Sequence, residues 1–225
     1  RIAESRIDES ARRILRDKFR LGLFDDPYVD PDAAAAICGS DAFRAAGADA
    51  QRRALVLLAN DGLLPLAAGS RLYLEGVPAA AAAAYGEVVE RPEDADAAIV
   101  FRTAPFEPRS ATFIETLFHA GSLEFPAEER DRILEVARAV PTVLVVHLDR
   151  PAILTGLVDA CGATVGSFGA SPDAILDLVF GRVSPTGKLP FELPSSMDAV
   201  RAQKPDVPCD SERPLFPLGH GLSYS

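Results

Sequence analysis

Four short β-like runs, at residues 71–75, 97–102, 142–147 and 163–168, lie beyond Leu66, and helix-like segments occupy 127–139, 152–160 and 172–180. Strands built from consecutive apolar residues must be covered on both faces, and a strand–helix alternation returns each strand parallel to the one before it. The pattern therefore predicts an α/β domain: a doubly wound, mostly parallel sheet sandwiched between helices. Sites in such a sheet form beyond the carboxyl ends of its strands. The last helix is the best punctuated, with Ser171 at the N-cap, Pro172 at the first helical position, Asp173 in the first turn and Gly181 just past the end. The alanine run at 79–84 reads as part of another helix.

Ahead of this pattern, residues 2–19 read as a helix: Ile7, Ala11, Ile14, Leu15 and Phe19 recur at spacings of three and four, with Arg and Lys between them. Gly22 and Pro27 end it. Its apolar stripe calls for a packing partner. Residues 30–40 read as a linker with a short alanine run, and a second helix is expected from Asp41 to Leu58, stopped by the turn Asn60-Asp61-Gly62. The expected organisation is thus a helix and linker over residues 1–40 and an α/β domain over 41–225.

Composition narrows the function classes. The 225 residues are 48% hydrophobic and 25% charged, which is the balance of a globular chain with a sizeable core. A net charge of −10 leaves no basic stripe to neutralise phosphates, arguing against nucleic acid and anionic membrane as partners. No apolar run approaches the ~18 residues of a membrane span, and Arg1-Ile-Ala-Glu-Ser lacks the apolar core of a signal peptide. Cys38, Cys161 and Cys209 are odd in number and lack metal-ligand spacing; they read as free thiols in a reducing compartment, which favours the cytoplasm. No cofactor or metal is expected. The strand-to-helix turn Gly166-Ser-Phe-Gly-Ala-Ser171 lacks the G-x-G-x-x-G spacing, so a flavodoxin-like nucleotide-binding reading has only the α/β alternation behind it.

Two further segments are sharper: Gly181-Arg-Val-Ser-Pro-Thr-Gly-Lys-Leu-Pro-Phe-Glu-Leu-Pro194 and Pro217-Leu-Gly-His-Gly-Leu-Ser-Tyr224. They resemble the closing part of the second domain of family-3 glycoside hydrolases, the β-glucosidase family, which reads G-x-x-x-P-x-G-[KR]-L-P-x-x-x-P and then P-x-G-x-G-L-S-Y. The segment from Ser10 to Val29 resembles that family's exit from its catalytic barrel, and Leu55-Val-Leu-Leu-Ala-Asn-Asp-Gly-Leu-Leu-Pro-Leu66 the entry to its second domain. The resemblance implies a six-stranded sheet and retaining hydrolysis of β-linked gluco- or xylo-configured substrates. It also implies a barrel ahead of this chain that carries the nucleophilic Asp, and an acid/base Glu on a second-domain loop. The partners implied are a carbohydrate substrate and that N-terminal barrel, with homo-oligomerisation left open. The opposing reading is a non-catalytic module that binds carbohydrate or supports the barrel.

The acid/base loop would follow the strand at 97–102, where Thr103 to Glu124 form a connection long enough to be functional. Glu107 is the first candidate for the acid/base: Pro105 and Pro108 restrict its backbone, and Phe106 could withdraw its carboxyl from water. A solvated loop Glu is the alternative. Glu115 is the second choice, within a short helix that also holds Phe113, Ile114, Leu117 and Phe118. Arg102, Arg109 and His119 are candidates for substrate binding. Glu124 reads as structural, Asp149 as the cap of a helix beginning at Pro151, and Gly187, Gly219 and Gly221 as tight backbone turns.

Overall fold

The computed structural model describes residues 2–108 and 117–224. The chain forms two compact units, Arg1–Ala46 and Gly47–Ser225. In the first, α1 spans Glu4–Arg20 as the periodicity predicts, and Gly22, at φ +70°, follows its last turn. The stretch at 30–40 is not a simple linker: Pro31–Ile37 forms a helix, α2. Asp30 accepts hydrogen bonds from the amides of Asp32 and Ala33, Pro31 takes the first position, and the alanines propagate the turn. No residue of α1 is buried, and Ile7, Ile14 and Phe19 are 59%, 60% and 64% exposed. The apolar stripe is there, and within its own unit it has no cover.

The helix α3 spans Asp41–Ala54, and β1, Val56–Asn60, is the first strand of the second unit. The expected helix to Leu58 is corrected here: 55–58 is a buried apolar run too short to distinguish strand from helix by periodicity. Next come β2 (Arg71–Glu75), α4 (Ala79–Ala82), β3 (Glu87–Val89), β4 (Ala97–Thr103), α5 (Ala127–Ala139) and β5 (Thr142–His147). They are followed by α6 (Leu157–Ala160), β6 (Ala163–Ser167), α7 (Pro172–Val179) and α8 (Met197–Ala202). The helix expected over 152–160 shrinks to α6 because Gly156, at φ +79°, breaks it and Ile153 instead bridges Glu124.

The six strands form one sheet in the order β1-β6-β5-β4-β2-β3, parallel throughout except for β1, which runs antiparallel to β6. This is the doubly wound, mostly parallel α/β sheet that the alternation predicts. Successive strand residues feed opposite faces. Leu57, Leu72, Ile99, Val143, Val145 and Val165 join the core beneath α7. Val56, Leu58, Val100, Leu144 and Val146 join the core beneath α5, with Ile133 and Val136.

One buried charge fastens the first of these layers. Asp177 of α7, 6% exposed, accepts hydrogen bonds from Arg52 (2.7 Å) and the Tyr85 hydroxyl (2.7 Å), and Arg182 lies 3.5 Å away. Burial alone would raise the Asp177 pKa, but Tyr85, Arg52 and Arg182 outweigh it and hold the carboxyl below its usual range. A depressed carboxylate pKa stabilises the fold above the unfolded-state value and ceases to do so as pH falls through the folded-state value. Asp177→Asn is therefore expected to cost about 2–3 kcal/mol at pH 7, less than a fully buried pair because the arginines reach water. Thermal melts should show the gap to the parent chain narrowing below about pH 4; a gap that persists unchanged at pH 3 would contradict the assignment.

The two Gly/Pro-punctuated segments close the free edge of the sheet. The Leu222 amide donates to the Leu57 carbonyl (2.8 Å), the His220 imidazole to the Leu58 carbonyl (2.7 Å), and the Tyr224 hydroxyl to the Leu178 carbonyl (2.7 Å). The Lys188 ammonium donates to the Gly221 carbonyl. Gly187 and Gly221 are sites of close backbone approach, whereas Gly219 sits at φ +79° with open space around it. Only the last is a glycine demanded by its dihedral.

Candidate functional site

At β4 the burial pattern opens toward solvent: Ala97 to Val100 are buried, Phe101 and Arg102 half-buried, Thr103 exposed. The chain thus leaves the carboxyl edge of the sheet, and the Ala104 amide still donates to the His147 carbonyl of β5 (2.9 Å) before the turn at Pro105. The outgoing limb then lies against the returning one. The Glu107 amide donates to the Ala120 carbonyl at 2.8 Å. The rings of Phe106 and His119 stack with centroids 3.8 Å apart and planes 3° from parallel. Gly121, at φ +83°, backs the Glu107 side chain so closely that a Cβ there would lie 2.5 Å from its Oε2 and 2.6 Å from its Cβ.

The returning limb is fastened in turn to the corner after β5. The His119 Nδ1–H pairs with the Asp149 carboxylate, the Arg150 guanidinium donates to the Gly121 carbonyl (2.9 Å), and the Ile153 amide to the Leu123 carbonyl (2.9 Å). Asp149 was expected to cap a helix beginning at Pro151; no helix starts there, and its carboxylate serves the loop instead. Gly121, Asp149 and Arg150 are the site residues that sequence reasoning missed. The available signal was position: Asp149 and Arg150 lie just past the carboxyl end of a central parallel strand, where sites of this fold gather.

Glu107 is exposed and lines a groove of about 270 Å³ with a second exposed carboxylate, Glu124, and with Pro105, Phe106, Ser122, Phe125 and Pro126. Phe106 lies flat on His119, so the carboxyl keeps its contact with water. Arg102 also borders a neighbouring hollow of about 440 Å³, with Phe106, Pro108 and Glu129. Its guanidinium, however, is engaged by the Glu75 carboxylate and the Phe101 carbonyl. Glu75 also receives Arg132 (2.8 Å) and the Tyr73 hydroxyl (2.9 Å). Burial pushes the Glu75 pKa up, but the bonds from Arg102, Tyr73 and Arg132 outweigh it and hold the group below its ordinary value. Arg102 therefore ties β4 to β2. Arg109 and Glu115, and most of the short helix expected around them, lie outside the described residues. Glu124 bridges Ile153.

A further hollow of about 490 Å³ lies among Asp61, Leu63, residues 137–142, Ala160 and Gly162, beside the amino ends of β5 and β6 and hence at the opposite edge of the sheet. Among the described residues no three His, Cys, Asp or Glu side chains gather to hold a metal ion. The chemistry on offer at the carboxyl edge includes a solvent-reaching carboxyl on a braced backbone, that of Glu107, able to give and take a proton.

Residues 73–224 match the model of the glycosyl hydrolase family 3 C-terminal domain. The chain is 48% identical to "Beta-glucosidase C" of Emericella nidulans, over 99% of its own length and 37% of that relative's. It is 45% identical to a "Periplasmic beta-glucosidase/beta-xylosidase" of Dickeya chrysanthemi, over 100% of itself and 35% of the relative. It thus spans little more than a third of the curated relatives it matches. Among solved structures, a β-glucosidase from Listeria innocua in complex with isofagomine superposes with a TM-score of 0.73 at 22% identity, covering 99% of this chain and 40% of that one. At that identity the likeness is one of fold.

Proposed function

The chain belongs to glycoside hydrolase family 3, as a C-terminal domain of that family, and from that premise we propose that it works within a longer β-glycosidase. In this reading it supplies the acid/base loop and one wall of the sugar site, and a barrel of the same polypeptide supplies the nucleophile. The substrates are β-linked gluco- or xylo-configured glycosides. The relatives named β-glucosidase and β-glucosidase/β-xylosidase support that class. The observation that carries the chemical role is the bracing of Glu107. Its carboxyl stands at the carboxyl edge of the sheet, in a groove, on a backbone hydrogen-bonded to Ala120 and backed by Gly121.

Retaining hydrolysis needs two carboxyl groups about 5–5.5 Å apart. The nucleophile attacks the anomeric carbon while the acid protonates the departing oxygen. The resulting carboxylate then takes a proton from water as that water displaces the nucleophile, restoring both groups. Glu107 fits the acid/base half of this cycle. Its exposure in this domain is consistent with a carboxyl that the barrel would cover, so its environment in the whole enzyme differs from its environment here.

The reading is tested by assaying an aryl β-glucoside with this chain and with the complete enzyme. The complete enzyme is expected to turn the substrate over, and the isolated chain to be silent, because one carboxyl cannot perform a double displacement. Turnover by the isolated chain above a Glu107→Ala control would refute the division of labour. A complete enzyme inert on β-glucosides and β-xylosides would refute the substrate class.

A further inference from the structure

We propose that His119 and Asp149 form a positioning pair that sets the carboxyl of Glu107. The inference rests on the reading of Glu107 as proton donor. Phe106 immediately precedes Glu107, and its ring lies flat on the His119 imidazole at 3.8 Å. The imidazole is itself held by Asp149, at the corner after β5. The next residue after His119, Ala120, accepts the Glu107 amide, and the one after that, Gly121, is the surface against which the Glu107 side chain rests. His119 therefore fixes both limbs at once: the outgoing limb through Phe106 and the returning limb through its own backbone.

The anchor at the far end is rigid. Asp149 follows β5, whose residues 142–146 are buried and which pairs with strands on both sides. Long connections are where conformational multiplicity resides, so a loop that must present one carboxyl in one place needs a tie to such a strand. Two side chains of the 149–150 corner provide it, Asp149 through His119 and Arg150 through the Gly121 carbonyl. The His119 and Asp149 side chains remain 31% and 28% exposed, and pairs with that much access to water contribute little to global stability. Their effect is expected to be local. In this account the proton is carried by Glu107, and His119 acts through the loop that presents it.

The test uses the complete enzyme and compares cellobiose, whose leaving group needs a proton, with 2,4-dinitrophenyl β-glucoside, whose leaving group does not. A misplaced donor should slow glycosyl-enzyme formation, read as kcat/KM, only from the first. His119→Ala is expected to lower kcat and kcat/KM on cellobiose roughly 10–100-fold with KM little changed, while changing kcat/KM on the dinitrophenyl glucoside by less than about threefold. Asp149→Asn, which keeps the side chain's shape, should move in the same direction by a smaller factor. In a double-mutant cycle the His119→Ala and Asp149→Ala losses should fall well short of multiplying, because each removes the same contact. If His119→Ala does not fold, as read from its melting curve, Asp149→Asn carries the comparison. Losses equal on both substrates, or none beyond about twofold, overturn the positioning role; Glu107→Ala, run in parallel and still showing the leaving-group split, would leave the donor assignment intact. If Glu107→Ala shows no split, both fall together.

Discussion

Replacing Glu107 by alanine in the complete enzyme is expected to slow hydrolysis of cellobiose by roughly 10²–10⁴-fold, the usual contribution of a positioned general acid. The loss should shrink as the leaving group becomes more acidic, because a dinitrophenolate departs without a proton. With such a substrate, formation of the glycosyl-enzyme stays fast and its breakdown becomes limiting, since no base remains to activate water. Azide needs no such activation. Its addition should restore turnover and yield the glycosyl azide with retained configuration. Kinetics across a leaving-group series, with and without azide, decide the matter. A uniform loss without rescue would mean that Glu107 shapes the site but moves no proton. If Glu115→Ala gave the rescue pattern instead, the role would pass to that residue. If neither substitution mattered, the donor would lie outside this chain and the domain would serve as a wall.

The second large effect concerns stability. A Cβ on Gly187 would lie 2.3 Å from the Leu55 carbonyl oxygen and 3.0 Å from that of Arg53, both backbone atoms that cannot rotate away. Gly187→Ala is expected to cost about 3–5 kcal/mol, because relief requires moving the start of β1 or the whole closing segment. For a domain of this size that corresponds to a fall in Tm of roughly 6–20 °C. Gly219→Ala is the matched control. Its glycine has a positive φ but nothing within 4 Å, so only dihedral strain is added, on the order of 1–2 kcal/mol. Thermal denaturation of both variants should rank Gly187→Ala far below Gly219→Ala. Equal melting temperatures would mean that the closing segment shifts freely and that the tight contact is incidental.

The strands at 97–102, 142–147 and 163–168 were legible because burial on both faces leaves consecutive apolar residues, and the one at 71–75 from its Leu-Tyr-Leu centre, although only Leu72 of it is buried. The helix at 172–179 was legible because its cap residues are spelled out. β3 was not legible: Glu87-Val-Val is too short to show an alternation or a run, and it is largely exposed. β1 was mistaken for the end of a helix, since a short buried run has the same composition in either state and only its pairing with β6 decides. Site residues followed the same division. Glu107 could be picked out from the length and proline flanks of its loop, features local in sequence. The contact of His119 with Asp149 joins residues from different connections, and no local pattern encodes it. Gly121 was illegible for a related reason: its close approach to Glu107 is a property of two limbs, and neither limb announces the other.

The antiparallel edge strand has a consequence for how the domain is made. β1 is the first strand of this sheet to leave the ribosome, yet its partners are β6 and, through Leu57 and Leu58, Leu222 and His220 of the closing segment. β2 to β5 can assemble in order of synthesis, each new parallel strand docking beside those already formed or one strand away. The Val-Leu-Leu run of β1 must wait, apolar and unpaired, until β6 has been added, and its outer edge stays open until the closing segment follows. Contacts of such sequence separation are slow to close, and unpaired apolar strands are prone to aggregate in the interval. A nascent chain stalled or truncated before Pro217 should therefore be a client for chaperones, and the closing Gly-His-Gly-Leu-Ser-Tyr segment acts as the latch that ends that vulnerability.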